Sequence, residues 1–242
     1  MTLDLPVVVL CGGLGTRLRQ VVRDRPKALA PVGEEPFLAV QLRLLRDRGA
    51  RQFVLCVGHM ANQIEAAFGD GSSLGVRIDY VRDGEQLLGT AGAIKQAERF
   101  FIPAAIVVNG DTYIDVNLAD LARTHAASGA VATLTLARVE DARRYGRVDF
   151  DAERVIAFRE KDPCSAAGGW INAGVYVLGR ELLARVPPDV PASLERDVFP
   201  DALRDGQFIA AFTQDETPHD IGTPDAFRDF VARRNAGTFT AS

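Results

Sequence analysis

Residues 7–27 read VVVLCGGLGTRLRQVVRDRPK, and this stretch decides the fold. An apolar, β-branched run, Val7 to Leu10, ends in the glycine-rich turn Gly12-Gly13-Leu14-Gly15. Arg17 follows at once, and Pro26-Lys27 closes the stretch. A buried strand feeding a loop of small residues lets backbone N–H groups approach phosphates closely. Arg17 and Lys27 would add fixed positive charge beside those phosphates. The glycines alone also fit a tight strand-to-helix turn.

Two other phosphate loops do not fit. A P-loop needs Gly-Lys-Ser/Thr after four intervening residues, and no such run occurs. The dinucleotide fingerprint needs a third glycine and an acid ending the second strand. Leu18 stands at the glycine position, and residues 53–57 run into Gly58-His59 with no carboxylate.

Outward from this stretch, 242 residues suit one large α/β domain or two small ones. Hydrophobic content of 47% and charged content of 25% are those of a globular protein with a sizeable core. A net charge of −4 argues against a general nucleic-acid binder. Cys11, Cys56 and Cys164 have no paired or zinc-like spacing, and Cys11 and Cys56 read as small buried hydrophobes. No leader pattern and no membrane-length apolar run is evident, so a cytoplasmic enzyme is the expectation.

Apolar strands alternate with helical patterns along the chain, which predicts a mainly parallel sheet flanked by helices. Strands are expected at 7–10, 53–57, 76–81 and 105–108, with helices at 37–48, near 62–68 and from 90. The second half reads as more β-rich: strands at 131–137, 170–178 and 208–212, and a hairpin from 147–150 and 155–158. Ser193 caps a short helix that Pro200 should end or kink before Leu203. Pro224 opens a last helix. One domain, 1–242, is expected, with a first half of about 1–112 like a nucleotide-binding half and a more β-rich second half of about 113–236.

Several residues point to chemistry. Asp111 ends a buried strand after Asn109-Gly110, where open α/β sheets bind ligands, and a carboxylate there suits nucleotide-borne Mg²⁺. A plain turn acid is the other reading. Asp220, in HDIGTP, is a second metal-ligand candidate or a helix-cap acid. Glu160-Lys161 is either site charge or a solvated pair. Asn172 and Gly174 lie inside an apolar strand, where a glycine marks a close approach or a bulge. Gly89-Thr90-Ala91-Gly92 suits a flat base packed at a helix start, or a tight loop. The three histidines are scattered, and no Ser/His/Asp or Cys/His set appears.

The order LCGGLGTRL, PK, LGTAG, NGD, EK, NAGVY, DIGTP resembles the sugar-1-phosphate nucleotidyltransferases, over residues 6–235. Seven motifs in the family's order are far more specific than any one. The resemblance implies a Rossmann-like, GT-A-like fold with a β-rich sugar-binding part. It implies nucleotide contacts from Leu10, Gly12, Gly13, Gly15, Thr16, Arg17, Lys27, Gln86, Gly89, Thr90 and Asp111. Sugar contacts would come from Gly146, Glu160, Lys161, Asn172 and Gly174, and Mg²⁺ ligands from Asp111 and Asp220. Arg17, Lys27, Asp111 and Lys161 would be the catalytic set. Within the family, the short chain, VVRDRPK and PVGEEPFL look most like D-glycero-D-manno-heptose 1-phosphate guanylyltransferases, ahead of the mannose-1-phosphate enzymes. The implied partners are GTP and a sugar 1-phosphate, with no nucleic acid and no membrane; a homodimer is compatible. The implied setting is GDP-heptose and cell-surface polysaccharide biosynthesis. The chain departs from the family at Ala28, where proline is frequent, and at His219, where an aromatic or aliphatic residue is usual. A non-catalytic nucleotide-sugar sensor on the same fold would be expected to have lost part of the charged set, and all of it is present.

Overall fold

The computed structural model describes residues 3–18, 21–84, 86–143, 145–159 and 168–237. The first half runs β1 (Val7–Leu10), β2 (Pro31–Val32), β3 (Glu35–Pro36), α1 (Phe37–Asp47), β4 (Gln52–Val57), α2 (Ala61–Phe68), β5 (Arg77–Arg82), α3 (Gly89–Gln96), β6 (Ala104–Asn109) and β7 (Thr112–Tyr113). The second half continues with α4 (Leu118–Ser128), β8 (Ala132–Val139), β9 (Arg147–Asp151), β10 (Arg154–Arg159), β11 (Gly169–Gly179) and α5 (Arg180–Leu183). It ends with α6 (Phe199–Arg204), β12 (Ile209–Gln214), β13 (His219–Asp220) and α7 (Pro224–Asn235).

Nine strands form one sheet in the order β5-β4-β1-β6-β11-β8-β12-β10-β9. From β5 to β6 every pairing is parallel, with Val7 opposite both Phe53 and Ile106. This is the parallel sheet expected, because each connection there is long enough to carry a helix. Beyond β6 the pairings turn antiparallel except β8 with β12. The sheet is therefore mixed rather than mainly parallel. The β9–β10 hairpin joins its strands by a tight turn, which only an antiparallel pair allows.

β1 shows why the first strand reads as a solid apolar run. Val7 and Val9 face one core with Leu38, Leu42 and Ile64, while Val8 faces the other with Ile94, Phe101 and Phe199. Both faces of the strand are covered, so both sets of side chains must be apolar. A third cluster joins the chain ends: Leu18 and Val22 pack with Phe37 and Val40 of α1 and with Phe227 and Phe230 of α7. The Phe230 ring lies 5.2 Å from Phe37 and 5.4 Å from Tyr113, in edge and tilted geometry.

Pro200 does not end its helix before Leu203. Ser193 accepts a hydrogen bond from the Arg196 N–H and caps one π-helical turn, Leu194–Val198. The helix then passes into α6, which has Pro200 in its first turn and runs to Arg204. Pro200 is accommodated where the π turn gives way to α6, directly after the Phe199 N–H donates back to the Leu194 carbonyl. Thr223 caps α7, with Pro224 at its first position, as the sequence suggests.

Candidate nucleotide site

β1, β4, β5 and β6 end on the same edge of the sheet, and beyond their carboxyl ends lies a cleft of about 380 Å³. Leu10, Gly12, Gly13, Gly15, Thr16, Arg17, Lys27, Gly89, Thr90 and Asp111 all line it. Gln86, expected at the base, does not line it.

The glycine loop is shaped by close contacts. The Cys11 N–H donates to the Cys56 carbonyl at 2.8 Å, extending the β1–β4 ladder past the strand end. A side chain on Gly12 would place its Cβ 2.9 Å from Asp83 Oδ2 and 3.3 Å from the Gly58 nitrogen. Gly15 has φ +58°, and a Cβ there would meet the Lys27 Cβ at 3.0 Å. Also in the lining, Gly89 has φ +69°, and its Cβ would lie 2.6 Å from the Ala192 carbonyl oxygen. Thr90 accepts a hydrogen bond from the Leu194 N–H at 2.9 Å, so its hydroxyl holds the helix start in place.

Charge gathers at the floor. Lys27 stands on a 3-10 turn, Lys27–Leu29, and donates to Asp111 Oδ2 at 2.6 Å. The Lys27 side chain is only 13% exposed and that of Asp111 is 42%, so the cation is the deeper partner. β13 pairs with β7, Asp220 opposite Thr112, and the Ile221 N–H donates to the Asp111 carbonyl at 2.9 Å. That ribbon brings the second acid beside the first across more than a hundred residues of chain. A Cβ on Gly222 would lie 2.6 Å from Asp220 Oδ1 and 3.4 Å from both Arg17 Nη2 and Lys27 Nζ. Asp220 is further held by the Gly222 N–H.

Gln41 is a residue the sequence did not single out. It is buried in α1, and its amide donates to the Asn109 carbonyl at 2.8 Å and the Thr112 carbonyl at 2.6 Å. Both carbonyls flank Asp111, so one side chain pins the turn that carries that carboxylate. The signal was a glutamine inside the apolar run FLAVQLRLL. Asp83, just past β5, was missed as well. It lines the cleft in a segment, DGEQ, that has no periodic pattern.

Of the expected sugar residues, Gly146, Asn172 and Gly174 do not themselves line the cleft, though Gly174 packs against Asn109, which does. Gly174 has φ +74° at a register shift in the β11–β8 pairing, so the strand glycine marks a bulge. Asn172 donates to the Tyr176 hydroxyl at 2.7 Å and to Glu195 Oε1 at 2.6 Å, and its Oδ1 accepts from the Gly174 N–H at 3.0 Å. Burial, then the Glu195 carboxylate, pushes the Tyr176 hydroxyl well above its ordinary pKa. The Ile171–Arg147 pairing of β11 with β9 sets Gly146 beside the position of Asn172. Glu160 and Lys161 lie outside the described residues.

Among the described residues neither cysteine at the cleft is poised as a covalent nucleophile. Burial pushes the Cys11 thiol far up and Cys56 up to about 12, so neither forms a thiolate at neutral pH. His125 is buried on Thr133, away from the cleft lining, and burial lowers its pKa. Among the described residues no three His, Cys, Asp or Glu side chains cluster as a complete metal cage. Two neighbouring carboxylates fit Mg²⁺, which prefers one or two protein acids and completes its shell with phosphate and water. Among the described residues no helix is long and apolar enough to cross a membrane.

A glycine-lined cleft at the strand ends, floored by Arg17, Lys27 and Asp111 with Asp220 beside them across Gly222, defines a phosphate-handling α/β protein of the group-transferring kind. Residues 6–235 match the nucleotidyl transferase model, and the chain belongs to that family. It is 40% identical over 231 residues to the mannose-1-phosphate guanylyltransferase of Mycobacterium tuberculosis, covering 93% of this chain but 63% of that protein. It is 36% identical over 225 residues to the D-glycero-alpha-D-manno-heptose 1-phosphate guanylyltransferase of Aneurinibacillus thermoaerophilus, covering 93% of this chain and 96% of that one. Among solved structures, HddC from Yersinia pseudotuberculosis complexed with GMP-PN matches at a TM-score of 0.83 and 29% identity, over 95% of this chain and 99% of that one.

Proposed function

We propose that this chain transfers the guanylyl group of GTP to a sugar 1-phosphate, D-glycero-α-D-manno-heptose 1-phosphate, releasing pyrophosphate and a GDP-sugar. The observation that carries the transfer is the convergence of Arg17, Lys27 and Asp220 around Gly222, with Asp111 bonded to Lys27. The sugar phosphate oxygen attacks the α-phosphorus, the bond to the β-phosphate breaks, and pyrophosphate leaves. Nothing in this step needs a protein nucleophile, in keeping with the protonated thiols. Catalysis is then positioning and charge stabilisation.

In this reading the Gly12, Gly13 and Gly15 backbone and Thr16 cradle the phosphates. Arg17 clamps the triphosphate with its planar fork, and Lys27 stabilises charge near the α-phosphoryl group. Asp111 and Asp220 would hold Mg²⁺, which neutralises the phosphates. Lys161 takes the sugar phosphate, and Gly146, Glu160, Asn172 and Gly174 form the sugar side.

The heptose is supported by two heptose 1-phosphate guanylyltransferase relatives at 36% identity and by the VVRDRPK and PVGEEPFL segments. The mannose enzyme is the second reading, because the mannose-1-phosphate relative is more identical, at 40%. A site that hydrogen-bonds the heptose's extra hydroxyl would reject mannose strongly, through polar groups left unpaired. Pyrophosphate release from GTP is the test, with the heptose, mannose and glucose 1-phosphates as acceptors. The heptose is expected to give at least ~10-fold higher kcat/KM than mannose. Equal use of mannose 1-phosphate would overturn the sugar, and no pyrophosphate with any acceptor would overturn the transfer.

A further inference from the structure

A second cavity, of about 230 Å³, shares Gly15 and Lys27 with the nucleotide cleft, so the two spaces meet at the glycine loop. Its charged lining residues are Arg23, Arg25 and Lys27, and among the described residues no carboxylate lines it. Lys27 is bonded to Asp111, and Arg25 forks on to the exposed Asp24 at 3.1 and 3.0 Å. Arg23 has no hydrogen-bond or ion-pair partner among the described residues. Met60, also in the lining, directly precedes α2, whose first turn has neither a side-chain cap nor an acid. An uncapped helix start adds partial positive charge.

The sheet order says which part of a nucleotide reaches this cavity. Asn172 and Gly174, proposed for the sugar, lie on β11, to one side of the strand β6 that leads into Asp111. The cavity is built from the segments after β1 and β4, which lie to the other side. An acceptor attacking in line expels the leaving group away from itself. The cavity is also apart from the Gly89-Thr90 helix start: Ile94 of α3 packs in the core on one face of the sheet, and Ile64 of α2 in the core on the other.

We propose that this cavity receives the pyrophosphate end of the nucleotide, with Arg23 binding the terminal phosphate. The proposal rests on the reading of the cleft as the site of a nucleotidyl transfer. As the bond from the α-phosphorus to its bridging oxygen breaks, the electron pair leaves on pyrophosphate, and charge grows at this end. A planar guanidinium meets a phosphate through two parallel bonds. Arg23 has no carboxylate to give up before it turns on to the phosphate. Arg25 would first release Asp24, so its share is smaller.

The test sets the wild type beside Arg23→Gln, Arg23→Lys and Arg25→Gln, each checked first for a cooperative melt. Pyrophosphate is titrated as an inhibitor of the forward reaction. GTP, GDP, pyrophosphate and inorganic phosphate, each with Mg²⁺, are titrated by calorimetry. GDP lacks only the terminal phosphate, so the GTP-to-GDP ratio isolates it. Arg23→Gln is expected to weaken GTP and pyrophosphate each by ~10-fold or more, the worth of one charged hydrogen bond, and GDP much less. Arg23→Lys should restore only part of the loss, because it keeps the charge without the fork. Arg25→Gln should move the same values by less. Pyrophosphate inhibition and a GTP-to-GDP ratio kept by folded Arg23→Gln overturn this role of the cavity and leave the transfer standing. An Arg23→Gln that weakens inorganic phosphate alone makes it a free-phosphate site and equally overturns the proposal. A wild type that releases no pyrophosphate from GTP with any sugar 1-phosphate overturns the transfer reading itself.

Discussion

Lys27 and Asp111 form an ion pair in which the lysine is the more deeply placed partner. Such a pair holds its cation where phosphate charge would develop, so each member has a separable effect. Asp111→Asn keeps the shape and removes the charge, and turnover is expected to fall at least ~100-fold at saturating Mg²⁺. Lys27→Ala should lower kcat with little change in GTP affinity, because a point charge acts mainly where charge is growing. Arg17→Ala should weaken both, since a planar fork also grips the ground-state triphosphate. Steady-state kinetics beside GTP titrations separate these cases. Near-normal turnover of Asp111→Asn would remove it from the metal site. Asp83 carries a pH consequence of opposite kind. Its folded pKa is raised, so the folded chain binds a proton more readily than the unfolded chain. Stability is then lost as pH rises from the unfolded pKa through the folded one. Asp83→Asn should melt no lower than the wild type at pH 7. That advantage should shrink as pH falls through the folded pKa and be gone once the ordinary carboxylate range is reached, which thermal melts in a pH series can follow.

At the scale of elements, the first half of the sheet was legible because a parallel strand covered on both faces must be apolar throughout. The VVVL of β1 and the FVLC within β4 carry that signature without interruption. β8 to β12 were located as strands, and the β9–β10 hairpin was read as such, but the directions of β8, β11 and β12 were not readable. Direction depends on which strand pairs with which, and alternation along one strand is silent on its neighbours. Pro200 misled for a related reason: a proline marks a helix interior or a first turn alike, and only the π-turn before it shows which. Asp111 was singled out by its place after a strand, and Asp220 by its place before a helix together with the family resemblance. Gln41 escaped because its work is done through the backbone of another element. It holds two carbonyls on either side of Asp111. Gln41→Leu would keep the bulk and leave both carbonyls without that donor, at about 1–3 kcal/mol for each group that finds no other partner. The melting temperature should drop, and the Mg²⁺ concentration for half-maximal activity should rise while GTP affinity alone changes little. Gln41→Glu, which keeps the length and loses the donors, should resemble Leu. Normal metal dependence in both variants would confine Gln41 to packing.

Across the whole molecule, the candidate site is held by α7, about two hundred residues along the chain from the glycine loop. α7 lays Phe227 and Phe230 on α1 and on the segment after the glycine loop. Arg234 of α7 also joins Glu35, which in turn pairs with Arg43. This packing fixes β13 against β7 and so sets Asp220 beside Asp111. Stability and metal geometry are therefore coupled through one apolar contact far from any phosphate. Phe230 is 1% exposed and touches both Phe37 and Tyr113, so Phe230→Ala should cost about 3–5 kcal/mol. For a chain of this size that corresponds to a fall in melting temperature of roughly 6–20 °C. The coupling predicts more than a lower melt. Below its melting point the folded variant should need more Mg²⁺ for half-maximal activity, because Asp220 is less firmly held, whereas base preference should stay as in the wild type. Leu183→Ala, in the core cluster on the opposite face of the sheet, is the control. It should lower the melting temperature comparably and leave the Mg²⁺ dependence alone. If both variants shift the Mg²⁺ requirement equally, α7 is a structural helix with no particular tie to the metal.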